Sequence, residues 1–278
     1  MNKYNISVIT IVKNRTEQLR NQISWLKKGS HCAKEHIVVN MGADLSSEMN
    51  TSDVKLLSCQ SDHHVLPLAK ARNMGLKAAQ SELVFFLDVD CLPEVDLLDS
   101  FVESLATKTI LSAVPCYLPF VPSHHDDDEI RAAAIVHPKR RNLDFKRNYD
   151  WSQFWSLAFG GYRRDLIEAG GFDESYSGYG AEDTDFGQRL KKFGAALRFF
   201  DAKVYHQYHV KYNPPINYLG DIVQNANTFR EKWNWLPMKS WLRKMESMGL
   251  IEIGAERVKL LREADKAEID ACYSTASY

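Results

Sequence analysis

The sequence predicts an α/β fold in which helices flank a central, mostly parallel sheet. Over the first half of the chain, short apolar β-branched runs alternate with amphipathic stretches of helical length, as in βαβ units. At 83–87, apolar residues lead directly into Asp88-Val89-Asp90. Carboxylates are not expected inside a buried strand, so the strand must end there, at the sheet edge where open α/β sheets bind ligands. The 278 residues suit one large domain or two closely packed subdomains.

The first strand and helix follow from the opening residues. Ile6 to Val12 is apolar and rich in β-branched residues, which is typical of a buried strand. Polar residues end this run, and Thr16 can cap a helix that continues to about Lys28. The other elements predicted for this half are strands at 35–40 and 54–57, a helix at 68–79, the strand at 83–87, a helix at 97–106 and a strand at 110–114.

The chain changes character near residue 115, where prolines and an acidic loop begin. The later pattern predicts helices at 164–169 and 183–193 and a strand at 196–200. Beyond Pro214-Pro215 the pattern is helical and amphipathic to about residue 265. We therefore divide the chain into residues 1–115, residues 116–212 and a helical carboxyl-terminal extension at 213–278.

Composition argues against several classes of function. The 35 basic and 36 acidic residues give a net charge of −1, so no basic surplus predicts nucleic-acid binding. Scattered cysteines without a Cys-x-x-Cys pair fit a reducing compartment. Because no long apolar run occurs, we expect a cytoplasmic protein that is at most peripheral to a membrane. The basic cluster Lys139-Arg140-Arg141 is expected on a solvated loop; the alternative is a contact with an anionic membrane surface or an acidic glycan.

Asp88 and Asp90 are the first candidates for a metal or nucleotide site. Two acids at positions i and i+2 of an emerging strand can share a hard divalent cation, directly or through water. Such a cation usually also takes oxygens from the phosphates of a substrate. Asp-x-Asp alone is a weak signal because it occurs often by chance. Its position at the end of a buried strand is what indicates a function.

A second motif combines glycines and acids between Ser177 and Phe186. Glu182, Asp183 and Asp185 repel one another, so their clustering requires compensation. Helix capping explains one or two of them, since carboxylates are favourable in a first helical turn. It does not explain the preceding glycines, which permit close backbone approach. A carboxylate at a helix start that faces a cleft can act as a general base, and we assign Glu182 and Asp183 a functional role.

Basic and imidazole side chains are expected at the same edge of the sheet. Lys13 and Arg15 lie beside the start of the first helix and Arg72 near the start of another, which suits a diphosphate; each alone also fits a surface cation. His206 follows a strand that should run near the acid pair, and His209 is a competing candidate. Imidazole combined with carboxylates suits manganese better than magnesium.

Aromatic residues cluster in the second half of the sequence. Trp155 and Tyr179 lie near glycines and acids, so they are candidates for packing against a sugar ring, whereas Phe159 is expected in the core. His63-His64 and the run 124–128 also have the composition of metal chelators. For both of these we favour solvated loops, the second a candidate for a mobile lid.

Together these residues resemble the family-2-type glycosyltransferases of the GT-A fold. The second half resembles the carboxyl-terminal module of the β-1,4-galactosyltransferases, polypeptide GalNAc-transferases and chondroitin polymerases. The matching segments of the first half are 10–15, 71–75 and 87–90. Those of the second half are 159–161, 170–172, 176–185 and 204–206. The resemblance extends from about residue 6 to 210, and the region from Asn217 to Leu250 looks like a helical appendage of some bacterial members.

The resemblance implies an inverting transfer from a UDP-sugar, with Mn²⁺ or alternatively Mg²⁺, to a hydroxyl of a glycan, lipid-linked glycan or glycoconjugate. Galactose or N-acetylgalactosamine is the favoured sugar, with N-acetylglucosamine or glucose as alternatives. The residues implied for the nucleotide-sugar are Thr10, Ile11, Val12, Lys13, Arg15, Asn40, Asp44, Arg72, Asp88 and Val89. Those implied for the metal are Asp88, Asp90 and His206. Asp183 matches the catalytic base and Glu182 its neighbour at the acceptor, and the expected acceptor and sugar pocket comprises Trp155, Gly160, Gly161 and Tyr179.

Two positions depart from the family pattern. Asn40 stands where an aspartate commonly contacts uracil, unless Asp44 has taken that role, and an amide can donate as well as accept a hydrogen bond. Tyr179 stands where a tryptophan often shapes the sugar pocket. Two other functions stay open at this point: a nucleotidyltransferase, which also combines such a sheet with paired acids, and a non-catalytic nucleotide- or glycan-binding protein on the same scaffold.

Overall fold

The computed structural model describes residues 5–42, 45, 53–60, 65–123 and 126–275. Three of the sequence expectations fall outside these ranges, namely those on Asp44, His63-His64 and His124-His125. Among the described residues, no helix is both long enough and apolar enough to cross a bilayer.

The core of the protein is one mixed sheet with helices on both faces. Its strands are β1 (Ile6–Val12), β2 (Glu35–Asn40), β3 (Val54–Ser58), β4 (Leu83–Leu87), β5 (Cys91–Pro93), β6 (Thr109–Tyr117), β7 (Ile135–Val136), β8 (Ala158–Tyr162) and β9 (Ala196–His206). The order is β3-β2-β1-β4-β8-β6-β9-β5, and β7 pairs with β6. The strands β3, β2, β1 and β4 are parallel, and so is the pair β6–β9, whereas β8 and β5 run antiparallel to their neighbours. The α/β class predicted from the alternating pattern is confirmed.

Helices cover this sheet because each presents an apolar stripe to it. The helices of the sheet domain are α1 (Thr16–Lys28), α2 (Leu68–Ala78), α3 (Leu97–Ser104), α4 (Asp127–Ala133), α5 (Arg163–Glu168) and α6 (Glu182–Phe193). One apolar layer joins α2, α5 and α6 to the sheet, and a second joins α3 to its other face. The predicted bounds of β1, α1, β2 and β4 agree with the structure. The position preceding α1 is Arg15, not Thr16, and its side chain makes no capping bond.

The strand predicted at 196–200 continues to His206 as β9. It is longer than expected because β6 accompanies it in parallel and β5 pairs with its last residues. The pairing places His206 opposite both Cys91 of β5 and Tyr117 of β6. The last residue of β9 is therefore next to the turn that joins β4 to β5, and this turn contains Asp88 and Asp90.

The carboxyl-terminal extension is not helical throughout, which corrects the sequence expectation. It contains α7 (Leu219–Trp233), α8 (Lys239–Ser247), the hairpin β11 (Ile251–Ile253) and β12 (Val258–Leu260), and α9 (Lys266–Ala271), while β10 (Lys211–Tyr212) pairs with β13 (Tyr273–Ser274). Tertiary contacts select the hairpin: Ile251 and Val258 are buried against α7 and α8. The Asn227 side chain of α7 also bonds both the N–H and the carbonyl of Val258.

Candidate active site

Asp90, His206 and His209 form a cluster with the geometry of a metal site. One possible ligand atom from each residue lies within 4.8 Å of the other two. Asp90 Oδ2 is ion-paired with Arg15 and lies 3.8 Å from His209 Nε2. Asp90 Oδ1 is buried and has no hydrogen-bond partner among the described residues, which is costly unless a ligand supplies one.

The two imidazoles of this cluster are suited to be ligands. Burial lowers the pKa of His206 to about 4, against the opposing charge of Asp90. Burial lowers the pKa of His209 as well. Both rings are therefore neutral near pH 7 and keep a lone pair for coordination. Two imidazole nitrogens and a carboxylate oxygen suit Mn²⁺, so these residues fit the metal that the resemblance implies. His209 joins His206 in the cluster instead of replacing it.

Among the described residues, the group of side chains that could share a metal ion does not include Asp88. Its Oδ1 is 3.6 Å from Arg72 Nη2. The Arg72 guanidinium is buried and also donates from Nη1 to Glu182 Oε1 at 3.0 Å. Burial raises the pKa of Asp88 to about 7, with Arg72 opposing the rise and the charges of Asp90, Glu182 and Asp183 adding to it. The geometry therefore places Asp88 beside Arg72, and its expected role near the ribose and the metal stays a prediction.

Arg72 also joins the two acid motifs that lie far apart in the sequence. The cation lies between Asp88 at the end of β4 and Glu182 at the start of α6. Phe172 packs under the guanidinium, with 5.2 Å between Cζ and the ring centroid. A buried cation shared by two carboxylates holds the β4 turn and the first turn of α6 together.

Asp183 lies in the first turn of α6 and is partly buried. Its Oδ1 accepts hydrogen bonds from the Thr184 N–H at 2.6 Å and the Thr184 hydroxyl at 3.2 Å. Burial raises the pKa of Asp183 to about 6, and the like charge of Glu182 adds to the rise while Arg72 and the Thr184 bonds oppose it. A carboxylate whose pKa is close to neutrality is well matched to general base catalysis.

The third acid of this motif, Asp185, has a structural role. It is fully buried, and its Oδ1 accepts bonds from the Tyr176 hydroxyl, Lys232 Nζ and Trp233 Nε1. Lys232 and Trp233 belong to α7. Asp185 therefore ties α6 to the carboxyl-terminal extension, and its charge is compensated there.

The loop that precedes α6 is held by α7. Asn225 Nδ2 donates to the Ser177 carbonyl at 2.9 Å, and Asp221 Oδ2 accepts from the Tyr179 N–H at 3.1 Å. Gly178 has a φ of +76°, and a Cβ added there would lie 2.1 Å from the Asp221 carboxyl group. A glycine is thus required where α7 approaches the loop. Sequence reasoning missed Asp221 and Asn225, because the helical pattern of α7 carries no sign of what it faces.

A cleft of about 690 Å³ opens beside the metal-type cluster. Trp155, Tyr179, His206 and His209 all line it. The Tyr179 ring stacks on Tyr218 at 4.8 Å between centroids. Tyr179 lies three residues before Glu182 at the start of α6, and burial together with the nearby charges of Glu182 and Asp183 raises the pKa of its hydroxyl. The extension completes the wall with Met238, Trp241 and Lys244, a contribution that sequence reasoning did not foresee.

Several other expected site residues occupy structural positions. Gly160 lies inside β8, where an added Cβ would come within 2.6 Å of the Val84 carbonyl and 2.8 Å of Phe101. Gly161 lies beside it in the same strand and an added Cβ would meet Ile110 at 2.9 Å. Close packing in the sheet accounts for both glycines, and their expected role in the sugar pocket stays a prediction.

The residues expected to contact the nucleotide near the first strand form two groups, one buried in the protein and one at the open edge of the sheet. The Thr10 hydroxyl is fully buried, within hydrogen-bond distance of Gln22 Oε1, His36 Nε2 and the Leu87 carbonyl, so it is structural and not a ligand contact. The side chains that are buried with it are Ile11, Val12 and Val89. At the open edge, Lys13 is half-buried without an ion pair to the rest of the described chain, and Asn40 Oδ1 accepts from the Gly42 N–H at 2.9 Å.

The match to a family model, described as glycosyltransferase like family 2, extends over residues 7–227. The chain belongs to this family. The matched range contains the Asp90 cluster, Arg72, Asp183 and most of α7.

Curated relatives and a solved structure agree with this membership. Chondroitin synthase of Escherichia coli is 28% identical over 171 residues, which cover 50% of this chain and 25% of the relative. Hyaluronan synthase of Pasteurella multocida is 26% identical over 239 residues, covering 73% of this chain and 24% of the relative. The chain thus spans about a quarter of the length of these relatives. The crystal structure of GalNAc-T7 with UDP, GalNAc and Mn²⁺ superposes with a TM-score of 0.55 at 15% identity, covering 74% of this chain and 43% of that one, and shows the shared GT-A fold.

Proposed function

We propose that this family member transfers a sugar from a UDP-sugar to a hydroxyl of a glycan, lipid-linked glycan or glycoconjugate, with Mn²⁺ as cofactor and inversion at the anomeric carbon. The observation that carries the proposal is the position of Arg72, which bonds Glu182 beside Asp183 and lies 3.6 Å from Asp88 in the turn that also contains Asp90. His206 and His209 of the Asp90 cluster line the cleft. The presence of UDP, GalNAc and Mn²⁺ in the GalNAc-T7 structure supports the donor and metal classes.

The donor half of the proposed site lies at the carboxyl ends of β1 and β4. Asp90, His206 and His209 are the residues that would hold Mn²⁺, which when bound would neutralise the diphosphate and act as a Lewis acid on the leaving UDP. Lys13 at the end of β1 would add a further positive charge on the phosphate side. Arg72 keeps Asp88 in place near the nucleotide.

The acceptor half of the proposed site centres on Asp183. Both bonds from Thr184 go to Oδ1, so we assign Oδ2 as the atom that takes the proton from the acceptor hydroxyl. The acceptor oxygen then forms its bond to the anomeric carbon as the bond from that carbon to UDP breaks on the opposite face. A single displacement of this kind inverts the centre. Glu182 is held by Arg72 and borders the acceptor.

The proposed sugar site is formed by aromatic side chains at the wall of the cleft. Tyr179, with its stacked partner Tyr218, presents the aromatic surface on which a pyranose would pack. Galactose or N-acetylgalactosamine is favoured by the resemblance of the 176–185 motif, with N-acetylglucosamine and glucose as alternatives.

A thermal-shift screen of nucleotide sugars, with and without Mn²⁺, tests the function. A ligand that binds only the folded state raises the melting temperature, by an amount set by its concentration relative to its Kd. We expect stabilisation by UDP and one or two UDP-sugars that requires Mn²⁺, followed by slow release of UDP from the best donor. Stabilisation by nucleoside triphosphates alone would contradict the proposal and favour a nucleotidyltransferase. Mn²⁺-dependent binding without any turnover would favour a non-catalytic binding protein.

A further inference from the structure

The walls of the cleft carry a positive charge that the proposed donor does not fully explain. Three lysines line it: Lys139, Lys211 and Lys244. No aspartate or glutamate occurs among the lining residues of the described chain. Asp90 lies next to the cleft, but its carboxylate is already paired with Arg15. The net charge of the chain is −1, so this concentration of cations is local.

None of the three lysines has a carboxylate partner within the parts of the chain that the structure describes. Lys211 lies over the Tyr117 ring, with Nζ 5.6 Å from its centroid, and Lys244 Nζ donates to the Asn213 side-chain carbonyl at 3.0 Å. Among the described residues, Lys139 has neither an ion-paired acid nor an aromatic ring beneath its side-chain nitrogen. The same positive charges act on His137. Burial and the charges of Arg140, Lys139 and Lys211 lower its pKa to about 4.

Lys211 lies on a different side of the cleft from Lys139 and Lys244. The Tyr117 ring that carries Lys211 is 4.9 Å from the His206 ring, which places Lys211 on the metal side, where the donor diphosphate would lie. Lys139 is anchored beside His137, whose ring packs 4.8 Å from Trp155. Lys244 lies one turn beyond Trp241 on α8. Lys139 of the sheet domain therefore lies on the Trp155 side of the cleft, and Lys244 of the extension lies on the Trp241 side.

Aromatic rings beside lysines that have no carboxylate partner among the described residues indicate a ligand with an apolar face and an anionic group. A tryptophan or tyrosine ring packs on the apolar face of a sugar, and a lysine attracts an anionic group as a strongly hydrated point charge. We propose that the acceptor is an anionic glycan, whose carboxylate or phosphate lies between Lys139 and Lys244 while its sugar rings pack on Trp155 and Trp241. This inference rests on the proposed function and adds the chemical class of the acceptor.

Calorimetric titration tests the inference in the presence of saturating UDP and Mn²⁺. The probes are a glucuronate-terminated disaccharide, the same disaccharide with its carboxylate reduced to an alcohol, and a short glycerol phosphate oligomer. The proteins are the wild type, the double variant Lys139→Ala/Lys244→Ala, and the control Lys239→Ala. Lys239 is an exposed lysine of the same helix α8 that is not among the residues lining the cleft.

We expect the wild type and the Lys239→Ala control to bind an anionic probe about tenfold more tightly than the neutral disaccharide, a difference of about 1.4 kcal/mol in the free energy of binding, because the two lysines attract its anionic group. The double variant should lose this preference and bind both disaccharides equally. Preference for glucuronate would identify a carboxylate, and preference for the glycerol phosphate oligomer would identify a phosphate. Affinity for the anionic probe should fall as NaCl is raised, since salt screens exposed charges.

Equal affinity of the wild type for anionic and neutral probes would overturn the inference, as would an unchanged preference in the double variant. Absence of binding by both anionic probes to a protein that still binds UDP and Mn²⁺ would overturn it as well. UDP and Mn²⁺ are titrated first, without any acceptor probe. Failure at that step counts against the proposed donor site and is therefore separable from failure of the anionic acceptor.

Discussion

At the scale of single residues, the carboxylates of the site differ because their neighbours differ. Asp90 faces two neutral imidazoles and Arg15, and one of its oxygens is buried without a partner in the part of the chain that the structure describes. Asp183 accepts bonds from Thr184 and lies beside the like charge of Glu182. One carboxylate is therefore arranged for a cation and the other for a proton, a division of roles that environment imposes on chemically similar groups.

Asp183→Asn removes the proposed base while conserving its shape. We expect UDP binding to be retained and turnover to fall about 10³-fold, within the range that general base catalysis contributes. Affinity for UDP is measured by calorimetry and turnover by UDP release. Asp201→Asn, at an exposed aspartate of β9, is the matched control and should change neither. Near-normal turnover of Asp183→Asn would refute its role as base.

The pKa of Asp183 gives a pH dependence with a definite sign. The base must be deprotonated to take the acceptor proton, and its pKa is raised to about 6. The rate at saturating substrate should therefore be high above about pH 7 and should fall about tenfold per unit below pH 6. Glu182 and Arg72, the charged neighbours, act in opposite directions on this value. A flat profile of kcat between pH 5 and 7 would be incompatible with Asp183 as the base.

The metal assignment makes a separate prediction for Asp90. Asp90→Ala removes the only carboxylate of the described cluster, so we expect UDP affinity to lose its dependence on Mn²⁺. His206→Ala and His209→Ala should each weaken Mn²⁺-dependent UDP binding, since both rings can contribute a ligand atom. Calorimetry with Mn²⁺ and UDP measures these effects against Asp201→Ala as control. Unchanged affinity in the Asp90 variant would count against the metal site.

At the scale of elements, α1 positions the turn that carries the acid pair. Gln22 of α1 is fully buried, and its Nε2 donates to the carbonyls of Asp88 at 2.7 Å and Cys91 at 3.0 Å. Gln207, which lies between the two histidines, is held by the same helix through Asn21 Nδ2 and the Gln18 carbonyl. Both sides of the metal-type cluster therefore depend on polar groups of α1.

Gln22→Leu tests the positioning role of α1. The variant removes the Gln22 donor from the carbonyls of Asp88 and Cys91 and the Gln22 acceptor from the Thr10 hydroxyl, so we expect a loss of about 2 kcal/mol in the free energy of unfolding. Affinity for UDP and Mn²⁺ should fall with it, because the Asp88–Asp90 turn is then less well ordered. Urea denaturation and calorimetry measure the two effects, with the exposed Gln80→Leu as control. Full stability and full affinity in Gln22→Leu would show that the bridge is dispensable.

At the scale of the whole molecule, the extension and the sheet domain are joined at the proposed acceptor side. Lys232 and Trp233 bond to Asp185, and Asp221 and Asn225 bond to the loop before α6. Tyr176, Ala181 and Phe229 share one apolar cluster across the junction. The extension thus supports the same loop that leads into Glu182 and Asp183.

Asp185→Asn should weaken this junction. The substitution leaves Lys232 without its fully buried counter-charge, and since that lysine is one-third exposed, we expect a loss of about 2 to 3 kcal/mol in the free energy of unfolding. Urea denaturation measures the loss, and the exposed Asp201→Asn should leave stability within about 0.5 kcal/mol of the wild type. A neutral effect of Asp185→Asn would mean that Asp173 alone satisfies Lys232, which it contacts at 2.6 Å.

By itself, the sequence determined the α/β class, the bounds of β1, α1, β2 and β4, and the two acid motifs, because these depend on local periodicity and on residue types that cannot be buried without a partner. It also indicated Trp155 and Tyr179, which line the cleft. What it left open were the features that depend on pairing between distant segments.

Tertiary structure decided which chemically equivalent residues meet. Asp90 groups with the two histidines, whereas Asp88, two residues earlier, lies beside Arg72. His209 joins His206 because β9 runs to the end of β6 and β5. Asp185 is neutralised by α7 while Asp183 is not, and Gly160 packs in the sheet. These outcomes depend on strand register and on contacts across more than 40 residues of chain, which no local pattern records.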